Sequence, residues 1–266
     1  MKLHVILRTC EKEVPKQGTN QPTVQQLPRI CGDDRKGMVL KCAKSLVNAI
    51  NNCVVVEDIK LTVLDDNSIE SFLVDLREVL SKCSKEVELI SLETKGFKQS
   101  ALKQFEMCAE SEDMVYSVED DYLHEENALN SMLVAYNYLT QKYPNPIALY
   151  PYDCAFRYDV GREYLTILLY DGVRYWRQVR HTANTIFAHQ SFFKDNFEVF
   201  KGLALTFPDA AEDQFINKLY ENYEEGTGNV KVFSPIPSVA YHLSFNEPAT
   251  IRTTHLGWRD LWDRIT

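Results

Sequence analysis

Up to about residue 142, short apolar runs alternate with longer amphipathic stretches. Residues 3–7, Leu-His-Val-Ile-Leu, have the length and apolarity of a buried strand. From 37 to 51, Met38, Val39, Cys42, Leu46, Ala49 and Ile50 recur at helical spacing, and Asp33 and Asp34 stand where a cap is expected. Residues 59–64 alternate as a second strand and end on Asp65-Asp66-Asn67-Ser68. Ser68 is placed to cap a helix over 69–81, with Phe72, Leu73, Leu76 and Leu80 facing inward. A third strand is expected over 87–92, and Gly96 turns the chain into a helix over 98–109. A fourth strand spans 114–118, and helical periodicity resumes from Glu125 to 142. Four strand–helix units at this spacing predict an α/β fold: a Rossmann-like, mostly parallel central sheet flanked by helices.

The second half reads differently. A strand is expected over 147–150, after Pro144-Asn-Pro146. Residues 164–170 and 173–179 are β-rich and meet at Asp171-Gly172, a hairpin signal that predicts an antiparallel subregion. Tyr, Trp and Arg are dense from Tyr150 to Arg180, which suits either stacking on sugar or base rings or half-buried strand packing. A brief strand over 186–188 precedes a Phe-rich helix over 191–201. Residues 211–223 read as helical, and 239–243 as a strand that carries His242. The tail, 254–266, is a short amphipathic helix whose Trp258 and Trp262 call for docking on the body or on a neighbouring chain, so a homo-oligomer through the tail is one expectation.

A chain of 266 residues suits one domain. Its expected parts are a half over 1–122, a second half over 123–245 and a tail over 246–266. The net charge of −9 disfavours a nucleic acid polymer as partner. No apolar run is long enough to cross a bilayer, and the seven Cys lack any CxxC spacing. Both point to a reduced, cytoplasmic protein without a transmembrane segment. Residues 11–36 are polar, carry Pro15, Gly18, Pro22 and Pro28, and form an unusually long connection after the first strand.

Polar residues gather at the C-terminal ends of three strands: Arg8-Thr9, Asp65-Asp66 and Glu119-Asp120-Asp121. Those ends are where an open α/β sheet places its ligand. Acidic residues at a strand-to-helix turn can hold a hard divalent cation shared with a substrate's phosphates. They also gather at helix N-termini because the dipole favours them there.

The order of these segments resembles the GT-A fold nucleotide-sugar glycosyltransferases, especially the broad family 2 type. The shared features are a first strand ending Arg8-Thr9, the Asp65-Asp66-Asn67-Ser68 segment, Gly96 at a turn, the acidic triplet and a later Glu212-Asp213. The resemblance implies that Arg8, Thr9, Asp65, Asp66, Gly96, Glu119 and Asp120 line a nucleotide-sugar site. It implies that Asp121, with the DXD-like position, and His242 hold Mn²⁺ or Mg²⁺. Asp213 is then the base that activates an acceptor hydroxyl in an inverting transfer from a nucleoside diphosphate sugar, UDP-sugar first. The acceptor is left open among a glycan, a protein and a small molecule. Two departures stand out: Glu rather than Asp at the first position of the triplet, and the 11–36 insertion. A nucleotidyltransferase on a related sheet and a non-catalytic glycan-binding protein are the competing expectations.

Overall fold

A computed structural model describes residues 1–12, 34–93, 96–154, 166–206, 214–221, 228–243 and 258–265. The α/β architecture expected from the sequence is the one observed. Strands β1 (Lys2–Thr9), β2 (Asp58–Asp65), β3 (Glu86–Ser91) and β4 (Met114–Glu119) alternate with helices α1 (Arg35–Asn51), α2 (Glu70–Leu80) and α3 (Phe97–Glu110). A short strand β5 (Tyr122–His124) then precedes helix α4 (Ala128–Lys142). Strands β6 (Ile147–Leu149), β7 (Leu168–Tyr170), β8 (Tyr175–Val179) and β9 (Ile186–His189) follow, then helices α5 (Gln190–Asp195) and α6 (Phe197–Thr206). A 3-10 turn (Ile216–Leu219), β10 (Lys231–Ile236), β11 (Ala240–His242) and the tail helix α7 (Trp258–Arg264) complete the described chain.

Nine strands form one sheet in the order β3-β2-β1-β4-β9-β6-β10-β8-β7. The first four are mutually parallel. Strand β9 runs antiparallel between β4 and β6, and β8 runs antiparallel to β10 and β7, which is the antiparallel subregion the Asp171-Gly172 turn predicts. The chain winds outward from β1 to β3, then crosses to the other side of β1 to place β4. The sheet therefore has a topological switch point between β1 and β4, where open α/β sheets bind ligands.

Each face of the sheet buries its own core. One face packs Leu3, Val5, Leu7, Val63 and Tyr116 against α1, α2, α4 and the tail. The other packs Ile6, Leu64 and Val115 against α3, α5 and α6. Alternate residues of β1 serve opposite faces, as a strand period of two requires. Truncating a fully buried anchor such as Leu46 to Ala would cost about 2–5 kcal/mol. The tail helix docks on the body of its own chain. Trp258, Leu261 and Ile265 join the first core, and the Lys41 ammonium sits 4.3 Å from the Trp262 ring centre. Among the described residues, no helix is long and apolar enough to cross a membrane.

Several sequence expectations are corrected. Ser68 does not cap α2: its Oγ accepts from Glu11 N at 3.3 Å, and Ile69 takes the cap position with no side-chain bond. Asp34 does cap α1, accepting from Gly37 N at 2.9 Å; Asp33 lies outside the described residues. The single helix over 191–201 is two, α5 and α6, parted at Asn196. Of the helix over 211–223, Gln214 is helical and a 3-10 turn over Ile216–Leu219 follows it; 211–213 and 222–223 lie outside the described residues. The dense Arg and Trp of the hairpin serve packing. Trp176 is fully buried and donates Nε1 to Asp171 Oδ2 at 2.7 Å, Arg174 pairs with Glu125 at 2.9 Å, and Arg177 pairs with the buried Asp153. Described Cys residues are free thiols, most of them buried.

Candidate active site

Strand register brings the first set of polar residues together. Arg8 faces Glu119 across the β1–β4 pair, and Thr9 faces Asp65 across β1–β2. The side chains then bond directly: Arg8 Nη2 donates to Glu119 Oε1 at 3.1 Å, and Thr9 Oγ1 to Asp65 Oδ1 at 3.3 Å.

The acidic triplet lies in the turn between β4 and β5, a strand-to-strand turn and not the strand-to-helix turn the sequence predicts. Helix α4 begins only at Ala128, so the triplet does not sit at the N-terminus of that helix and its dipole does not account for the charge. The three carboxylates are sorted to three different partners. Glu119 meets Arg8 and also accepts Asn184 Nδ2 at 3.2 Å. Asp120 accepts Arg35 Nη2 at 2.6 Å and the Cys10 amide at 2.8 Å. Asp121 Oδ2 lies 3.3 Å from His242 Nε2.

That last contact depends on β11 pairing with β5. The pairing sets His242 directly opposite Tyr122, one residue beyond Asp121, and Leu243 N donates to Asp121 O at 2.8 Å. The His242 ring stacks on Tyr122 with centroids 4.8 Å apart, and Tyr152 meets it edge-on at 6.1 Å. The imidazole is thereby held with its Nε2 edge toward the acidic turn.

Burial governs the protonation of this cluster. It pushes the Glu119 carboxyl up to about 7, against the pull of Arg8 and helped by the charge of Asp121. It raises Asp120 as well, while Arg35 pulls the other way. Burial also works against the Arg35 charge, but Asp120 and Asp121 outweigh it and hold that guanidinium more firmly protonated than usual.

The remaining predicted residues divide into floor and rim. Thr9 and Asp65 are fully buried. The Asp65 carboxylate accepts from Thr9 and from Ser68 N at 2.9 Å, so it shapes the turn after β2; burial raises its pKa against those bonds. Asp66 lies closer to the surface. It accepts the Gly96 amide at 2.9 and 3.1 Å, a contact made possible by the positive φ of 105° at Gly96. Asp213 and Glu212 lie outside the described residues, as do residues 13–33 of the insertion.

The donor set at the turn fits a hard or borderline cation. One carboxylate oxygen and one imidazole nitrogen, 3.3 Å apart, match the spacing of neighbouring ligands on one ion, about 3 Å for bonds near 2.1 Å. Among the described residues, no three His, Cys, Asp or Glu side chains are grouped to hold a metal by themselves. An ion here would complete its shell with water and ligand oxygens, as Mg²⁺ does in phosphate sites.

Two participants escaped the sequence reading. Arg35 follows the long insertion and carries no motif, yet it joins Asp120 to the Cys10 carbonyl (3.3 Å). Asn184 sits in the connection 180–185, whose Thr185 Oγ1 also accepts the Glu119 amide at 3.1 Å. A lone Asn before a strand gives no pattern to read.

No family profile and no curated protein matches the sequence. Solved structures of similar architecture include GT-A glycosyltransferases and nucleotidyltransferases. S. aureus TarS 1-349 in complex with UDP-GlcNAc overlaps with a TM-score of 0.46 at 14% identity, over 92% of this chain and 61% of that one. An active-site mutant of LgtC overlaps with a TM-score of 0.45 at 11% identity, over 86% and 72%. UDP-glucose pyrophosphorylase complexed with UDP-glucose overlaps with a TM-score of 0.43 at 11% identity, over 98% and 100%. The chain spans from 36% to 61% of the TarS chains it matches. Overlap at this level does not bear on what this chain binds.

Proposed function

We propose that the protein is a metal-assisted glycosyltransferase that takes its sugar from a nucleoside diphosphate sugar, UDP-sugar first. One observation carries the reading. Asp121 and His242, far apart in sequence, meet at the switch point of a parallel sheet, beside two buried Arg–carboxylate pairs. The resemblance in motif order supports it.

In this reading Asp66 and the Gly96 turn border the nucleotide, and Asp121 with His242 hold the cation. A bound Mn²⁺ or Mg²⁺ would neutralise charge on the leaving diphosphate. Arg8 and Arg35 keep Glu119 and Asp120 compensated, so the turn holds its shape without drawing Asp121 out of position. The buried floor of Thr9, Asp65 and Asp120 excludes water beneath the reacting bond. The acceptor hydroxyl loses its proton to a carboxylate as it attacks the anomeric carbon, and inversion follows if that carboxylate lies on the face opposite the diphosphate. Asp213 is the candidate. Among the described residues of the second half, Asp153 has a buried carboxylate, but it is neutralised by Arg177 and makes a poor base.

The test is turnover of a panel of nucleoside diphosphate sugars with Mn²⁺. Slow release of free sugar from one donor without acceptor, lost in Asp121→Ala, is the expected result. In an acceptor assay, Asp213→Asn should lose transfer and keep nucleotide binding. Pyrophosphate release from a nucleoside triphosphate plus a sugar phosphate would identify a nucleotidyltransferase instead. Absence of turnover on every donor would leave a binding protein.

A further inference from the structure

The described surface exposes eleven large apolar side chains, and five of them crowd into nine residues of the β7–β8 hairpin: Ile167, Leu168, Tyr170, Val173 and Tyr175. Strand β7 is one edge of the sheet, and among the described residues no strand pairs with its outer side. Ile167 O accepts from Gln178 N at 2.9 Å, and Asp171 N donates to Arg174 O at 3.2 Å. By strand alternation Leu169 also bonds toward β8, and the N–H and C=O groups of Leu168 and Tyr170 point away from the sheet. These two residues are 53% and 52% exposed. The hairpin that presents them is tied down. Asp171 Oδ1 accepts Val173 N and Arg174 N at 2.8 Å each, Tyr170 OH donates to Gly172 O at 2.9 Å, and Arg174 pairs with Glu125.

The opposite edge, β3, carries the exposed carboxylates of Glu86 and Glu88, which keep another strand away. Strand β7 has no such guard. The charges of its hairpin are engaged inside the copy: Asp171 with Trp176 and the turn, Arg174 with Glu125, Arg177 with Asp153. Copies of a chain of net charge −9 repel one another, so an edge without free charge is where two of them can meet. We propose that β7 is a self-association edge: two copies pair these strands antiparallel about a two-fold axis at Leu169 and form one continuous sheet. In that register Leu168 faces the partner's Tyr170 and Tyr170 faces the partner's Leu168. Each pair exchanges both backbone hydrogen bonds, so the outward groups of both residues are used. Leu168 and Tyr170 share one face with Tyr175, and the two Leu169 side chains meet on the other, beside Trp176. Tyr170 and Tyr175, each half exposed, offer roughly 200 Å² of side-chain surface per copy. The contact falls short of the ~800 Å² per partner of a stable complex, so the dimer is weak and forms with concentration.

Sedimentation velocity of the full chain across about 2–200 µM tests the edge, a range suited to a small interface. Wild type should pass from one copy to two. Added salt should move the midpoint to lower concentration, because it screens the repulsion between like-charged copies. Leu168→Pro removes an N–H that faces away from β8 and leaves the hairpin its own ladder. It should raise the midpoint about 10-fold or more, since the two-fold axis counts the lost bond twice. Leu168→Lys should act in the same direction, and it serves if the proline variant does not fold. Leu169→Cys sets two thiols across the axis with Cα atoms about 4.5 Å apart, within reach of a disulfide. With diamide as oxidant it should give covalent dimers well in excess of wild type. A monomer at every concentration overturns the proposal and leaves the edge to a chain of another sequence. A dimer whose midpoint neither folded Leu168 variant shifts, or that Leu169→Cys does not cross-link, forms through another surface and overturns it too.

Discussion

At the N-terminal end of the sheet, Lys2 meets Glu112, and Lys60 meets Glu86 and Glu88, on side chains open to water. At the C-terminal end, Arg8 meets Glu119 and Arg35 meets Asp120 with little solvent contact. The open end also has a hollow, a cavity of about 380 Å³ lined by Lys2, His4, Lys60, Glu86, Glu112 and Asp113. Its charges are matched by exposed neighbours, so nothing there calls for a ligand. The closed end holds an Asp–His pair amid buried charge. What separates the two ends is the burial of their charges.

The largest expected effect lies at the closed end. Asp121→Ala should lower donor turnover by about 100-fold or more, the scale of removing one electrostatic contact to a reacting group. Loss of less than threefold would show that the turn is not the centre of the site. The next effect separates support from chemistry. Arg35→Ala leaves Asp120 buried without its cation and should destabilise the fold by about 3–5 kcal/mol in urea unfolding. Arg35→Met with Asp120→Leu removes both charges and should recover most of that loss; no recovery would mean Arg35 acts through packing alone.

A smaller effect comes from His4, at the edge of the open end. Both ring nitrogens are bonded at 2.8 Å, to Ser111 Oγ and Thr62 Oγ1, and burial lowers its pKa from 6.5 to about 4. The unfolded chain takes up this proton below about pH 6.5, whereas the folded chain resists until about pH 4. Stability should therefore fall as pH drops through that window, by up to about 3 kcal/mol. Glu119, raised to about 7, acts with the opposite sign: the folded state holds its proton more tightly, so stability falls as pH rises from 4.5 to 7. His4→Gln should flatten the acid limb in chemical unfolding followed against pH and leave the Glu119 contribution in place. An unchanged limb would assign acid sensitivity elsewhere. The smallest effect belongs to the exposed pairs. Lys60→Ala should leave the melting temperature within error at physiological salt, and a clear drop would contradict the contrast between the two ends.

Much of the closed end is legible in the sequence because parallel strands advertise themselves. Apolar runs at regular spacing mark β1 to β4, and the polar residues that end those runs have to share one edge of the sheet. Other parts depend on partners that no local pattern encodes. Strand β5 is only Tyr-Leu-His, and it is a strand because β11 pairs with it, so the turn that carries the triplet reads as the start of a helix. His242 is legible as a strand residue, but its approach to Asp121 comes from that same pairing. Ser68 has the right chemistry for a cap and is taken by the Glu11 amide, a competition set by where β1 ends. Arg35 and Asn184 enter from beyond an insertion and from a connection, where side-chain identity does not indicate direction.

The central claim is that Asp121 and His242 form the protein's share of a cation site that a nucleoside diphosphate completes. Its most direct test is the melting temperature of wild type, Asp121→Ala and His242→Ala with UDP, with Mn²⁺, and with both. The account predicts that UDP and Mn²⁺ together raise the wild-type melting temperature beyond the sum of their separate effects, because each supplies ligands or charge to the other. It predicts that this excess disappears in Asp121→Ala and shrinks in His242→Ala. A wild-type melting temperature unmoved by the pair, or an excess that survives in Asp121→Ala, would contradict it.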